Sequence, residues 1–261
     1  MRNSAYVAAQ RVYAAGLRAC YSRTGMPWQV HDETVRIDPT VRHLVPHASE
    51  AALFAFIKRH VTPGDVVFDV GSFLGVYAVL EARIAGPRGR VVAIEPTTRS
   101  ASIARRHFAF NADRASAPVY LVEAATGEQC RQTTFYEYEE PYVNALTPAV
   151  DVNGRARTRV VQVVTIDDLC DQMRIRPAFI RMDVQGAEFD ALRGARRTIA
   201  AAGPGLTIVA EMHPQCWPSF GIDEAHARHT IDTLGLSAEP LEPGTDLFAR
   251  DGHIVLRPRH G

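Results

Sequence analysis

The stretch Ile180–Glu188, IRMDVQGAE, is an apolar run that ends in Asp183 and continues through Gln185 and a glycine to Glu188. A buried strand has no use for a carboxylate at its tip unless something there needs it. A second apolar run, LTIVAEM over 206–212, ends in Glu211 and is followed by His213. Imidazole titrates near neutrality, which makes His213 the best single candidate for a general base. A third feature is DVGSFLG, with Asp69, Gly71 and Gly75, and the pair Glu95-Pro96 begins 20 residues beyond Gly75. A glycine turn after a strand lets the backbone approach a ligand, and the helix that follows offers free amide donors. An acid at the tip of the next strand can accept from both hydroxyls of a ribose. The loop spacing is G-x-x-x-G rather than G-x-G-x-x-G, and is less suited to a pyrophosphate.

These groups need a scaffold, and the pattern supplies one. VVFDV (66–70), RVVAIE (90–95), PVYLVEA (118–124), AFIRMD (178–183) and LTIVAEM (206–212) read as strands buried on both faces of a parallel sheet. Helical patterns fall between them at about 75–84, 98–111, 166–172 and 188–201, and a further helix is expected at 223–234. Such alternation predicts a doubly wound α/β sheet. Two short strands near 245–249 and 253–257 are expected to close one edge as an antiparallel hairpin. Ser49 is placed to cap a helix over 50–60, residues 28–47 read as irregular or short-stranded, and residues 1–25 read as a helix. The expected division is an N-terminal helical or irregular extension over 1–48, acting as a lid or an oligomer contact, and a main domain over 49–261. That domain carries a β-rich excursion at 130–164.

Composition narrows the function classes. Lysine plus arginine and aspartate plus glutamate each number 29, so no basic excess points to nucleic acid. No apolar run reaches the length of a membrane span. Cys20, Cys130, Cys170 and Cys216 form no CxxC pair, and scattered single cysteines suit a reducing, cytoplasmic setting.

VFDVGSFLG, VVAIEP, IRMDVQGAE and VAEMHP, with TIDDL at 165–169, resemble the successive motifs of FkbM-type S-adenosylmethionine-dependent methyltransferases. The resemblance runs from about Glu50 to Phe248 and implies a seven-stranded, mostly parallel sheet and methyl transfer, typically to oxygen. It implies that Asp69, Gly71, Ser72 and Phe73 line the methionine end of the cofactor. Gly75 would allow close helix–strand packing, Glu95 would hold the ribose, and Glu123, Ala124 and Ala125 would lie beside the adenine. It also implies that Asp183 ends beside Glu211 and His213 at the mouth of the cleft. Two positions depart from the family pattern, Phe73 where asparagine is usual and Gln185 where glutamate is usual.

Methyl transfer from a sulfonium needs an aligned nucleophile and, for an alcohol, a base. The expected reaction is O-methylation of a small molecule such as a sugar or polyketide hydroxyl. Asp183, Glu211 and His213 also make a set that suits a divalent cation, but the metal-free reading is preferred and no metal is assigned. Glu188 is read as a helix cap. Tyr138, Tyr142 and Asn144 in the excursion are candidate acceptor contacts. A homodimer is the assembly that an N-terminal contact would build. The rival readings are a nicotinamide-dependent oxidoreductase and a catalytically silent cofactor-binding module.

Overall fold

The computed structural model of the protein describes residues 4–45, 47, 50–138, 144–147, 156–246 and 248–259. Its centre is a seven-stranded sheet. In chain order the strands are β3 (Val66–Val70), β4 (Arg90–Ile94), β5 (Val119–Val122), β9 (Phe179–Met182), β10 (Thr207–Met212), β11 (Leu236–Pro240) and β12 (Gly252–Pro258), following a hairpin of β1 (Met26–Val30) and β2 (Glu33–Ile37). Across the sheet the order is β11-β12-β10-β9-β3-β4-β5, with β12 antiparallel to both of its neighbours and the other pairs parallel. The doubly wound, mostly parallel sheet with an antiparallel hairpin at one edge is therefore present. The chain runs outward from β3 through β4 to β5, then returns to β9 on the other side of β3. The switch point lies between β3 and β9, and in such sheets the ligand crevice lies outside the strand ends there.

Side-chain alternation builds two layers. Val67, Phe179, Val209 and Val255 face α2 (Ala51–His60) and α3 (Val76–Ala85). Phe68, Ile180, Ile208 and Leu256 face the helices α5 (Ile166–Met173), α6 (Glu188–Arg193), α7 (Arg196–Ala202) and α8 (Glu224–Thr233). Near-continuous apolar strands are what a sheet covered on both faces requires. The β1–β2 hairpin packs Val35 and Ile37 against Leu74, Val79 and Leu80, next to the glycine loop and α3. It follows α1 (Ser4–Tyr21), and α4 (Thr98–Asn111) lies beside it. A small sheet of β6 (Ala125–Thr126), β7 (Arg131–Glu137) and β8 (Arg157–Val164) forms the excursion.

Two elements differ from expectation. The edge strand lies at Leu236–Pro240 rather than at 245–249. Only Leu236 of it is buried, so an edge position left no apolar alternation to read. The helix expected over 188–201 is broken into α6 and α7 around Gly194, where a Cβ would stand 2.1 Å from the carbonyl oxygen of Gly127. The Ser49 cap lies outside the described residues, and Glu50 occupies the N-cap position of α2 in a left-handed conformation.

Candidate active site

The loop after β3 is stitched to both neighbouring strands. Gly71 and Ser72 donate their amides to Ile94 O on β4, and the Asp183 amide at the end of β9 donates to Val70 O. Gly71 has φ of 79°, and a Cβ there would stand 1.8 Å from Asp183 O. The switch point is therefore closed backbone to backbone, which is why glycine is needed. Gly75 serves a different contact from the one expected: its missing Cβ admits Phe108 and Ala104 of α4, so the packing is helix on helix. Phe73 adopts φ of 50°, a region that asparagine enters more readily than phenylalanine. Its backbone amide supplies the polar contact, donating to Glu95 Oε2 at 2.9 Å.

Two cavities open at this junction and share Gly71, Phe73 and Asp183. The first is lined by Glu95, Pro96, Ala124, Ala125 and Thr126, with Asn144 from the excursion. The second is lined by Ser72, Tyr77, Arg181 and Glu50, with Val30 and Val45 from the N-terminal segment. Ser72 Oγ, Thr126 Oγ1 and Arg181 Nε, each from a cavity-lining residue, are buried without a hydrogen-bond partner among the described residues, whereas Asp69, expected at the methionine end, lines neither cavity and is held by Arg181. Such orphaned groups are uncommon in native interiors. A nucleoside with an amino-acid tail, its base toward Thr126 and its tail toward Ser72, would supply partners, so the residues present fit S-adenosylmethionine. Thr126 was not singled out from the sequence, because a threonine in a two-residue strand carries no signal.

Glu95 is 6% exposed, and it binds the loop as well as facing the first cavity. Its Oε1 accepts from the Thr97 amide and hydroxyl, and its Oε2 accepts from Phe73. Oε2 retains a lone pair for a ribose hydroxyl. Burial pushes its pKa up to about 7, against the pull of these donors. Ribose hydroxyls donate to the ionised form, so below that pKa a proton must leave before cofactor binds. The affinity for S-adenosylhomocysteine, measured by calorimetry, is expected to be flat above pH 7 and to fall up to about tenfold per pH unit below it. Glu95→Gln should bind weakly with no such slope.

Beyond the junction, Asp183, Glu211 and His213 do converge. His213 Nε2 lies 3.9 Å from Asp183 Oδ1 and 3.8 Å from Glu211 Oε1. The register of β9 and β10 puts these strand ends side by side. His213 Nδ1 contacts Glu188 Oε1 at 2.8 Å, and Glu188 is fully buried. Glu188 also accepts from the Gly186 amide at 2.8 Å and from Trp217 Nε1 at 3.1 Å. The helix-cap reading of Glu188 is therefore incomplete: it does accept a nearby backbone amide, and it also fixes the imidazole. A first-turn acid has a sufficient local reason to exist, and that reason concealed the longer contact.

Burial disfavours the charged form of His213, but Glu188, Asp183 and Glu211 outweigh it and raise its pKa to about 9. Burial raises Glu211 to about 7. Gln185, in a left-handed conformation at φ of 51°, sets its amide 3.1 Å from Asp183 Oδ1 and 2.9 Å from His213 Nε2. An amide meets either form of the ring, with NH₂ toward a neutral Nε2 and oxygen toward a protonated one. Arg181, also missed from the sequence, is 6% exposed. It bonds Asp69 Oδ1 at 2.9 Å and Asp183 Oδ2 at 3.4 Å, and stacks over the Tyr77 ring.

Other sequence candidates fall elsewhere. Glu123 does not line either cavity; its carboxylate pairs with Arg105 at 3.0 Å and with the Thr98 hydroxyl, which draws it away from an adenine. Asn144 lines the first cavity and accepts from the Tyr138 amide at 2.7 Å, so it sits on the cofactor side of the junction. Tyr138 lines neither cavity. Tyr142 lies outside the described residues.

Among solved structures, the chain is similar to a putative rRNA methylase from Clostridium thermocellum, at 11% identity over 82% of this chain and 97% of that chain, with a TM-score of 0.49. It is similar to a ribosomal protein L11 methylase from Lactobacillus delbrueckii subsp. bulgaricus, at 14% identity over 87% and 85%, with a TM-score of 0.47. It is also similar to a precorrin-6y C5,15-methyltransferase from Geobacter metallireducens GS-15, at 12% identity over 80% and 87%, with a TM-score of 0.45. No curated protein matches the chain. A model of the methyltransferase FkbM domain matches residues 69–231, which run from the first strand's Asp69 through the acid–imidazole cluster into α8. By that match over more than half its length, the chain belongs to the FkbM family of S-adenosylmethionine-dependent methyltransferases.

Proposed function

We propose that the protein transfers a methyl group to a hydroxyl oxygen of a small molecule, with His213 as the proton acceptor. One observation carries this reading: a buried imidazole is fixed at Nδ1 by the fully buried Glu188, while Nε2 faces Asp183 and Glu211 at the switch-point crevice. An alcohol is a poor nucleophile until a base takes its proton, and a carboxylate-anchored imidazole is suited to that task. Bound S-adenosylmethionine supplies an already activated methyl electrophile. Glu95 and the glycine loop orient the nucleoside, and the closed backbone at Gly71 and Asp183 holds the two cavities in register. With its pKa raised to about 9, His213 must first release its Nε2 proton to solvent before it can act as a base. It then takes the proton of the attacking hydroxyl, and Glu188 stabilises the imidazolium that forms.

The balanced net charge of the chain supports a small acceptor rather than a nucleic acid. No helix among the described residues is long and apolar enough to cross a membrane, and the free cysteines suit the cytoplasm. The chemistry is tested with cofactor labelled in its methyl group and a panel of hydroxylated, carboxylated and amine acceptors. The expected product is an ether, stable to alkali. Label released by mild alkali would indicate a carboxyl ester, and label on nitrogen would indicate an amine acceptor; either result overturns the hydroxyl assignment.

A further inference from the structure

A second group of ligating side chains adjoins the cluster just described and shares Glu211 with it. Glu50, Glu211 and His253 each offer one donor atom, and these atoms lie within 4.8 Å of one another. They come from three elements far apart in the chain. His253 is the residue opposite Glu211 in the antiparallel β10–β12 ladder. Glu50 stands at the start of α2, held by a hydrogen bond from the Tyr77 hydroxyl at 3.0 Å. Glu211 splits its carboxylate: Oε1 faces His213, and Oε2 lies 3.9 Å from His253 Nε2.

The distances and the state of His253 point to a ligand. His253 Nε2 is shielded from solvent, and among the described residues its one near partner is Glu50 Oε1 at 3.3 Å, a contact that, against burial, helps hold the Glu50 carboxyl well below the usual carboxylate range. Two donors held about 2.1 Å from one cation at ordinary coordination angles stand about 3.0–3.7 Å apart. The His253–Glu50 separation of 3.3 Å lies within that range, and the His253–Glu211 separation of 3.9 Å lies just beyond it and is too long for a hydrogen bond. The local charge has the matching sign. Asp69, Asp183 and Glu50 gather around one buried guanidinium, that of Arg181, while Glu211 faces Asp183 and Glu50 and is not paired with it. Mixed carboxylate and imidazole donors favour a first-row divalent cation over magnesium, which prefers oxygen alone.

We infer that Glu50, Glu211 and His253 bind one divalent cation of the Mn²⁺ type, beside the cleft. Its part in the reaction rests on the hydroxyl-methylation reading: the cation, sharing Glu211 with His213, would bind the acceptor's oxygen and lower the pKa of the hydroxyl whose proton His213 takes. The site itself stands on geometry alone.

The test uses the full chain, stripped with chelator and titrated with Mn²⁺, with free ion followed by electron paramagnetic resonance. One ion per chain is expected. His253→Ala and Glu50→Gln are each expected to weaken binding by about tenfold or more. S-adenosylhomocysteine affinity should stay within about twofold in His253→Ala, since His253 lines neither cavity, and this shows that the variant is folded. If His253→Ala does not fold, Glu50→Gln alone decides. An unchanged chain that takes up no Mn²⁺, or variants that bind it as tightly, would overturn the site. Alkali-stable ether formation without Mn²⁺ uptake would sink the cation and leave the reaction standing. Mn²⁺ uptake without ether formation would do the reverse.

Discussion

Gly71→Ala is expected to abolish cofactor binding while the chain still folds. Its Cβ would stand 1.8 Å from the Asp183 carbonyl oxygen, and backbone cannot swing aside as a flexible side chain can. The φ of 79° adds a left-handed strain for any L residue, roughly 1–2 kcal/mol. The clash must be relieved by parting the β3 loop from the end of β9, and these two segments carry Gly71, Phe73 and Asp183 into both cavities. Displacement of about 1 Å in a positioned site can cost about 100-fold, so the dissociation constant for S-adenosylhomocysteine should rise at least that much. Gly64→Ala is the control. Gly64 has φ of 105° and nothing within 4 Å of a built Cβ, so it tests strain without collision. It should lose about 1–3 kcal/mol of stability and keep its cofactor affinity. Equal binding losses in the two variants would show that strain, not the approach of β3 to β9, accounts for the effect.

The glycine loop and the acid after the second strand were legible because each is local. Gly71 follows a buried strand directly, and Glu95 closes the next one, so strand pattern and residue type agree. The meeting of Asp183 with Glu211 and His213 was reachable only through a strand order taken from a family resemblance; the sequence alone does not say that β10 lies beside β9. What stayed hidden depends on register or on residues with a competing local explanation. His253 is 42 positions from its cross-strand partner Glu211, in a strand whose neighbour β11 is an exposed edge. Thr126 and Arg181 sit in a two-residue strand and an apolar run, where neither carries a pattern. The excursion contributes Asn144 to the first cavity while Tyr138 lines neither, and the second cavity is walled by Val30, Val45, Glu50 and Tyr77, in segments that read only as irregular chain and ordinary helix.

His213→Ala and Glu188→Gln measure the same device from its two ends. Removal of the imidazole should lower kcat by about 100-fold or more, the size of a lost general base, with cofactor affinity little changed because His213 lines neither cavity. Glu188→Gln is the more discriminating change. The carboxylate receives Gly186 and His213 on Oε1 and Trp217 on Oε2, so three donors converge on two oxygens. An amide offers one oxygen and one NH₂. If the oxygen keeps Gly186 and His213, the indole N–H of Trp217 faces another donor, at a cost of about 1–3 kcal/mol in stability. If it turns to Trp217 instead, NH₂ meets His213 Nδ1 and forces the ring to protonate at Nε2, the wrong nitrogen for a base facing the cleft. Either way the negative charge that stabilises the imidazolium is gone. Glu188→Gln should therefore lose both stability, read as a lower Tm, and turnover, read as a kcat reduced by about 100-fold at unchanged cofactor affinity. A variant that loses stability but keeps full kcat would make Glu188 a structural clamp on Trp217 and remove the physical basis for His213 as the base.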